Sequence, residues 1–347
     1  MRRLPIYFLI DVSESMVGEP IQLVEDGMAT IIKAIKQDPY AIETVWLSII
    51  VFAGQAKTLV PLQEIVSFYP PKFPIGGGTS LSKGLGHLMH ELENNVVKTT
   101  FEKKGDWKPI IFLFTDGNPT DDSRDAITEW KQKWSGTANL VAIAFGNEPN
   151  TKALLELTEN VLHFNNSFAQ DYSKFFKWVT DSIKTSSCSV KKNESGFELA
   201  NLDEIVLSKV SASNLNQSHI PNSNFVVLSA QCQNMKRSYL IKYRKVGEPS
   251  IIPGIDTRRY RLVGGFQIDD KSYDELSDQN IPQTINSEEL IGAPACPCCG
   301  NQFGFAVCTC NGIHCIGDED FSTCPWCNTT SSYGAGDGGF DVSRTLG

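Results

Sequence analysis

The chain predicts a three-layer α/β domain with a mostly parallel sheet, followed by a small β-rich metal-binding domain. Two observations carry this. Apolar runs alternate with helix-period segments over residues 1–185, and eight of the ten cysteines fall between Cys296 and Cys327. The length of 347 residues is also enough for about two domains.

The elements follow in order. Ile6 to Ile10 is a continuous apolar run that Asp11 ends, as in a strand buried on both faces. Ile21, Val24, Met28, Ile31, Ile32 and Ile35 then recur at helical spacing. Trp46 to Phe52 is a second strand, and Lys57 to Val60 an edge strand before Pro61. Leu81, Leu85, Leu88 and Leu92 form a helical stripe. Pro109 to Phe114 is a third buried strand, ending at Thr115-Asp116-Gly117, and Ala126, Trp130 and Trp134 mark the helix after it. Asn139 to Phe145 is a strand, Leu154 to Leu157 a helix and Val161 to Phe164 a last short strand. Phe175, Phe176, Val179 and Ile183 close the domain with a helix. Strand–helix alternation of this length implies a parallel sheet with ligands bound beyond the carboxyl ends of its strands, where Asp11 and Asp116 stand.

The polar stretch 186–196 reads as a linker, and 197–220 has no clear pattern. Residues 224–230, 237–243 and 260–266 read as strands, which makes 197–330 a β-rich domain with its cysteine module at 296–327. The Ser-, Thr-, Gly- and Asp-rich segment 331–347 reads as a flexible tail.

Composition excludes several classes. Lys and Arg number 31 against 40 Asp and Glu, a net charge of −9, so nucleic acid is not expected as a partner. No apolar run approaches a membrane span. Asp11 stops the opening apolar run and no small-residue cleavage site follows, so a cytoplasmic protein is expected.

Two constellations carry chemistry. Asp11-x-Ser13-x-Ser15 follows the first strand, Thr79 follows a run of three glycines before a helix, and Asp116 follows the third strand. These donors are all oxygen, which suits a hard divalent cation such as Mg²⁺. With few protein charges on it, such an ion stays electrophilic and can accept a carboxylate from a partner. Ser80 and Asp121 read as helix-cap or turn residues. A phosphate-cradling reading fails because no lysine follows the glycines as a P-loop demands, and no G-x-G-x-x-G follows the first strand. A phosphoryl-transfer role for Asp11 would prefer a second acid where Ser13 stands, and no nucleophile–base pair suggests a hydrolase, so no enzyme is expected.

The second constellation is the cysteine module. Cys296, Cys299, Cys308, Cys310, Cys315, Cys324 and Cys327 have spacings that suit tetrahedral Zn²⁺, and two closed sites need eight ligands. Cys298 and His314 compete for the eighth place. A ribbon joins Cys296 and Cys299 to Cys324 and Cys327; a cross-brace makes alternate pairs share ions. Cys188 and Cys232 read as lone thiols. The window lacks Lys and Arg and carries Asp318, Glu319 and Asp320, which argues against a nucleic-acid reader; a RING-like element is the other alternative.

The set Asp11, Ser13, Ser15, Thr79 and Asp116 resembles the metal-ion-dependent adhesion site of von Willebrand factor A domains, over about residues 1–185. The resemblance implies that Ser13, Ser15 and sometimes Thr79 contact the ion directly while Asp11 and Asp116 often act through water. With Arg2-Arg3-Leu4-Pro5 leading the first strand and Gly18-Glu19-Pro20-Ile21 opening the helix, the domain resembles that of bacterial TerY-like proteins. The cysteine module resembles the metal-binding domain of the longer TerY-like chains; short members lack it. This implies a non-catalytic scaffold linked to tellurite resistance and chemical stress, in a set with a Ser/Thr kinase and a metal-dependent protein phosphatase.

Overall fold

The computed structural model describes residues 2–116, 119–145, 151–164, 169–191, 199–201, 207–210, 224–246, 259–278, 283–334 and 338–345. The chain divides into two compact units. The first holds residues 1–12, 19–73 and 79–219, the second 13–18, 74–78 and 220–347.

In the first unit the elements run β1 (Leu4–Asp11), α1 (Glu19–Lys36), α2 (Ala41–Thr44), β2 (Val45–Phe52), β3 (Ala56–Glu64), α3 (Leu81–Asn95), β4 (Ile110–Thr115), α4 (Arg124–Lys133), β5 (Asn139–Ala144), α5 (Lys152–Leu157), β6 (Val161–Phe164), α6 (Ala169–Lys191) and β7 (Leu207–Lys209). The sheet order is β3-β2-β1-β4-β5-β6-β7. The inner pairs are parallel and the edges β3 and β7 antiparallel. Strand order therefore reverses between β1 and β4, the place where such sheets collect ligands.

Burial on both faces explains the unbroken apolar runs of β1 and β4. Tyr7, Leu9, Ile111 and Leu113 pack under Leu85, Leu88, Leu92, Trp130 and Leu154 from α3, α4 and α5. The alternate residues form an aromatic layer on the opposite face, with Phe8 stacked on Phe112 at 5.6 Å and Phe114 edge-on to Phe175 of α6 at 5.7 Å. Pro61 lies within β3, as an edge strand tolerates. Helix α3 starts where expected: Ser80 caps it by accepting from the Lys83 N–H, and Asp121 accepts from the N–H groups of Leu81 and Ser82 at 3.0 Å each. Among the described residues no helix is long and apolar enough to cross a membrane.

The second unit contains β8 (Phe225–Gln231), β9 (Ser238–Val246), β10 (Arg259–Gln267), α7 (Asp270–Leu276), β11 (Gln283–Asn286), β12 (Leu290–Ile291), β13 (Phe303–Val307), β14 (Ile313–Ile316), β15 (Ser322–Thr323), β16 (Thr330–Ser331) and β17 (Asp341–Arg344). Six of them form a sheet in the order β12-β10-β9-β8-β14-β13; β11 pairs with β17 and β15 with β16. One face packs Val226, Leu228, Tyr239, Ile241 and Tyr243 together with Cys232, Cys296 and Cys315. Gly304 lets two backbones touch: its N–H reaches the Pro294 carbonyl at 2.7 Å, and a Cβ there would meet that same oxygen at 2.7 Å.

Three boundaries differ from the sequence reading. The predicted linker begins inside α6, which runs to Lys191; Ser186 and Ser187 are buried, and the Ser187 hydroxyl meets that of Thr44 at 2.6 Å. A polar composition thus hides a helical face that packs on α2. Residues 192–196 lie outside the described residues. Residues 207–209, expected in the β-rich domain, instead close the first sheet as β7, antiparallel to β6 with Leu207 buried. The expected flexible tail contains β17, held by its register with β11, by buried Val342, and by the Arg344 guanidinium on the Phe225 carbonyl at 3.1 Å.

Helix α1 packs on α6 through a glycine: a Cβ on Gly27 would lie 2.1 Å from the Phe176 ring. In an open helix position Gly→Ala stabilises by about 1 kcal/mol. Gly27→Ala is expected to do the opposite, lowering stability by about 1–3 kcal/mol through overpacking. Gly86→Ala in α3, where nothing lies within 4 Å of the new methyl, is expected to raise it. Chemical denaturation of the two variants reads the opposed signs.

Candidate metal centres and adhesion loops

Asp11 ends β1 and is fully buried. The register places Ile10 beside Phe114, so Thr115 adjoins Asp11, and its hydroxyl donates to the Asp11 carboxylate at 2.8 Å. Asp116 follows directly. Thr79 is buried before α3; its N–H donates to the Thr120 hydroxyl at 3.0 Å, and the Thr120 N–H returns to its carbonyl at 2.7 Å. Ser13 and Ser15 follow Asp11 in a buried turn, their hydroxyls 3.0 Å apart. Asp11, Ser13, Ser15 and Thr79 are buried and Asp116 is half-buried; all five offer oxygen alone, the donor type that a hard cation takes. Ser80 and Asp121 serve as helix caps, as their positions suggest.

Residues that the sequence reading passed over hold the turn 13–18 within the second unit. Lys242 of β9 is almost fully buried, and its ammonium donates to the carbonyls of Ser15 at 2.6 Å and Val17 at 3.0 Å. The Tyr273 hydroxyl of α7 donates to the Glu14 carboxylate, and burial beside that carboxylate pushes the phenol pKa up. The Gly77 N–H donates to the Ser277 hydroxyl at 2.8 Å. A cavity of about 490 Å³ in this unit is lined by Glu14, Gly77, Tyr273, Asn311, Trp326 and Arg344, among others.

The thiols gather into two sets of four. Cys232, Cys296, Cys299 and Cys315 have their sulfurs within 4.8 Å of one another, and so do Cys308, Cys310, Cys324 and Cys327. Tetrahedral Zn²⁺ with Zn–S bonds of about 2.3 Å requires sulfurs about 3.8 Å apart. The Sγ pairs Cys299–Cys315 at 3.7 Å, Cys232–Cys315 at 3.9 Å, Cys308–Cys327 at 3.6 Å and Cys310–Cys324 at 3.7 Å fit that spacing. The sets interleave along the chain, which is the cross-brace arrangement and not the ribbon.

Residues 6–178 match the von Willebrand factor type A domain, and residues 222–347 match the TerY-C metal binding domain. The chain has the TerY-like architecture. Similar solved structures include the ArnB paralog VWA2 from Sulfolobus acidocaldarius, 13% identical over 80% of this chain and 70% of that one, with a TM-score of 0.40. BatB from Bacteroides thetaiotaomicron is 14% identical over 54% of this chain and 99% of that one, TM-score 0.38. Proximal thread matrix protein 1 from the mussel byssus is 19% identical over 52% of this chain, TM-score 0.38; this chain spans 48% of that one's length. A comparison with curated proteins finds no match.

In the TerY-C domain the eighth thiol is Cys232, read from sequence as a lone buried cysteine. The reason is register. β14 runs parallel to β8 with Ile313 beside Ala230 and His314 beside Gln231, so the next residues, Cys315 and Cys232, lie side by side. The window holds eight thiols of its own, so the count gave no sign of Cys232; the one hint was its place two residues after the predicted strand 224–230. Neither expected competitor joins. His314 donates from Nδ1 to the Cys315 carbonyl at 3.0 Å, which leaves Nε2 to accept from the Tyr333 hydroxyl at 2.8 Å. Cys298 stands outside both sets, and burial pushes its thiol up to about 12. By contrast, the Cys310 backbone N–H lowers Cys308 to about 6, favouring the thiolate that a metal needs.

Cys232→Ser is expected to halve the zinc content and destabilise the TerY-C domain, whereas Cys298→Ser keeps all of it; metal analysis of purified protein decides. Retention of zinc also requires thiolates, so acidification is expected to speed its extraction by a chelator, read as release rate against pH.

Proposed function

We propose that the chain is a non-catalytic, metal-dependent interaction scaffold of the cytoplasm. In this reading Asp11, Ser13, Ser15, Thr79 and Asp116 hold Mg²⁺ or another divalent cation. The hydroxyls of Ser13, Ser15 and Thr79 are the direct ligands, and the two carboxylates orient water. The bound ion supplies an electrophilic position for an acidic side chain of the partner. The observation that carries the reading is that Asp11, Ser13, Ser15 and Thr79, oxygen donors in the loops after β1 and before α3, are buried, with Asp116 half-buried directly after β4.

The residues divide the work. The Thr115 hydroxyl fixes one oxygen of the Asp11 carboxylate. The Lys242 ammonium and the Tyr273 hydroxyl hold the Ser13–Gly18 turn by its carbonyls and by Glu14. Such support keeps small ligands aligned at little entropic cost when a partner arrives. The two thiol sites hold two Zn²⁺ as structural ions, which contribute directly to folding of the TerY-C domain. The partners in this reading are a Ser/Thr protein kinase and a metal-dependent protein phosphatase in a tellurium-resistance type of stress signalling, with no role for nucleic acid or membrane.

The test is a pull-down from host lysate with the full-length chain, in Mg²⁺ or in a chelator too weak to strip zinc. A kinase or phosphatase is expected only in the Mg²⁺ eluate. Asp11→Ala and Ser13→Ala are expected to lose it with zinc content and circular dichroism unchanged. Equal capture without Mg²⁺, or by the Asp11 variant, would overturn the adhesion-site reading.

A further inference from the structure

The two thiol sites have different surroundings. Cys232, Cys296 and Cys315 are buried and Cys299 half-buried, at the edge of the core formed by Tyr239, Tyr243 and Ile313. In the other site Cys308 and Cys324 are buried, but Cys310 and Cys327 are exposed. The segment 317–334, which carries Cys324 and Cys327, has almost no core of its own. Its strands β15 and β16 are two residues long, and only Ser322 and Cys324 in it are buried. Its other ties run mainly through two aromatic side chains: Trp326, which lies against Gly312 and donates from Nε1 to the Ile313 carbonyl at 2.8 Å, and Tyr333, edge-on to His314 with its hydroxyl 2.8 Å from Nε2.

We propose that Cys308, Cys310, Cys324 and Cys327 form a thiol-oxidation site for hydroperoxides. Its oxidation to two disulfides releases the metal and frees the 317–334 arm, while the Cys232-containing site stays metallated. The inference stands apart from the adhesion-site reading, since it needs neither Mg²⁺ nor a partner.

The chemistry balances. The exposed Cys327 or Cys310 sulfur attacks a peroxide oxygen; the O–O bond breaks, giving a sulfenic acid and an alkoxide or hydroxide that takes up a proton. A neighbouring thiolate, Cys308 at 3.6 Å from Cys327 or Cys324 at 3.7 Å from Cys310, then attacks the sulfenic sulfur. An S–S bond forms, and the hydroxide that leaves takes up a second proton as water. Each disulfide consumes one hydroperoxide and two protons; the sulfur pair gives up two electrons and the O–O bond receives them. Four thiolates lost as ligands leave nothing to hold the ion. The order of the two sites follows from access, because exposed sulfur meets oxidant while the sulfur packed in the core does not.

The test uses the zinc-loaded full-length chain with Cys188→Ser and Cys298→Ser, so that thiols outside the two sites are absent; the unsubstituted chain is run in parallel. Hydrogen peroxide is titrated in. Zinc release is read with a colorimetric chelator, disulfides by peptide mass spectrometry, and mobility by hydrogen exchange. About half of the zinc is expected to leave in a first phase. Disulfides are expected only among Cys308, Cys310, Cys324 and Cys327, with exchange rising only over 317–334. A thiol reductant with added zinc is expected to reverse all three changes. Loss of both ions in one phase, first oxidation at Cys232, Cys296, Cys299 or Cys315, or an initial zinc content of one ion would each overturn the proposal.

Discussion

The parallel pairing of β8 with β14 is the interaction on which the C-terminal unit depends. It joins segments more than eighty residues apart and brings two sulfurs, Cys232 and Cys315, to 3.9 Å. Only two residue pairs make the register, a short ladder for a contact of such long range. Loop closure over that distance costs entropy that two ladder pairs do not recover. The four-thiol site at the end of the pairing can, since a structural Zn²⁺ contributes on the order of 10 kcal/mol. Pairing and metal site thus support each other, and the core of Tyr239, Tyr243 and Ile241 closes around both.

The first unit rests on a different constraint. Its parallel strands are covered on both faces, so side chains cannot reach solvent along their length, and polar chemistry is confined to the strand ends. Asp11 and Asp116 arrive at the same edge because β1 and β4 are neighbours in register. Asp121, from the loop after β4, then occupies the N-terminus of α3 and so fixes the turn that carries Thr79. Apolar burial makes the sheet, and the sheet makes the edge where oxygen donors collect.

This division explains what was legible in the sequence. Apolar runs identify β1, β2, β4 and β5, and the acids that follow the runs of β1 and β4 identify the edge, because both signals are local. The same holds for Cys296, Cys299, Cys324 and Cys327, whose spacing is itself the motif. Cys232 was missed because its partner lies in another strand, and pairing across a sheet leaves no trace in spacing. Ser186 and Ser187 read as linker because a serine facing Thr44 of α2 looks no different from one facing water. Lys242 was passed over for a similar reason: nothing local separates a lysine that faces water from one whose ammonium, as here, donates to two carbonyls.

Lys242 also shows how the second unit treats the turn 13–18. A buried ammonium is costly unless its hydrogen bonds are made, and the carbonyls of Ser15 and Val17 meet that need. The two carbonyls therefore restrain the turn: opening it would take both acceptors from the buried ammonium, which also lies over the Phe225 ring at 4.6 Å. Glu14 meets the same condition through Tyr273 and the Gly78 N–H. Two buried charges of opposite sign, each satisfied by the other side of the contact, hold the turn more firmly than the apolar packing of Val17 with Leu240 and Ile268 alone could. The hydroxyls of Ser13 and Ser15 consequently inherit their positions from β9 and α7, elements of the unit whose sheet the thiol sites complete.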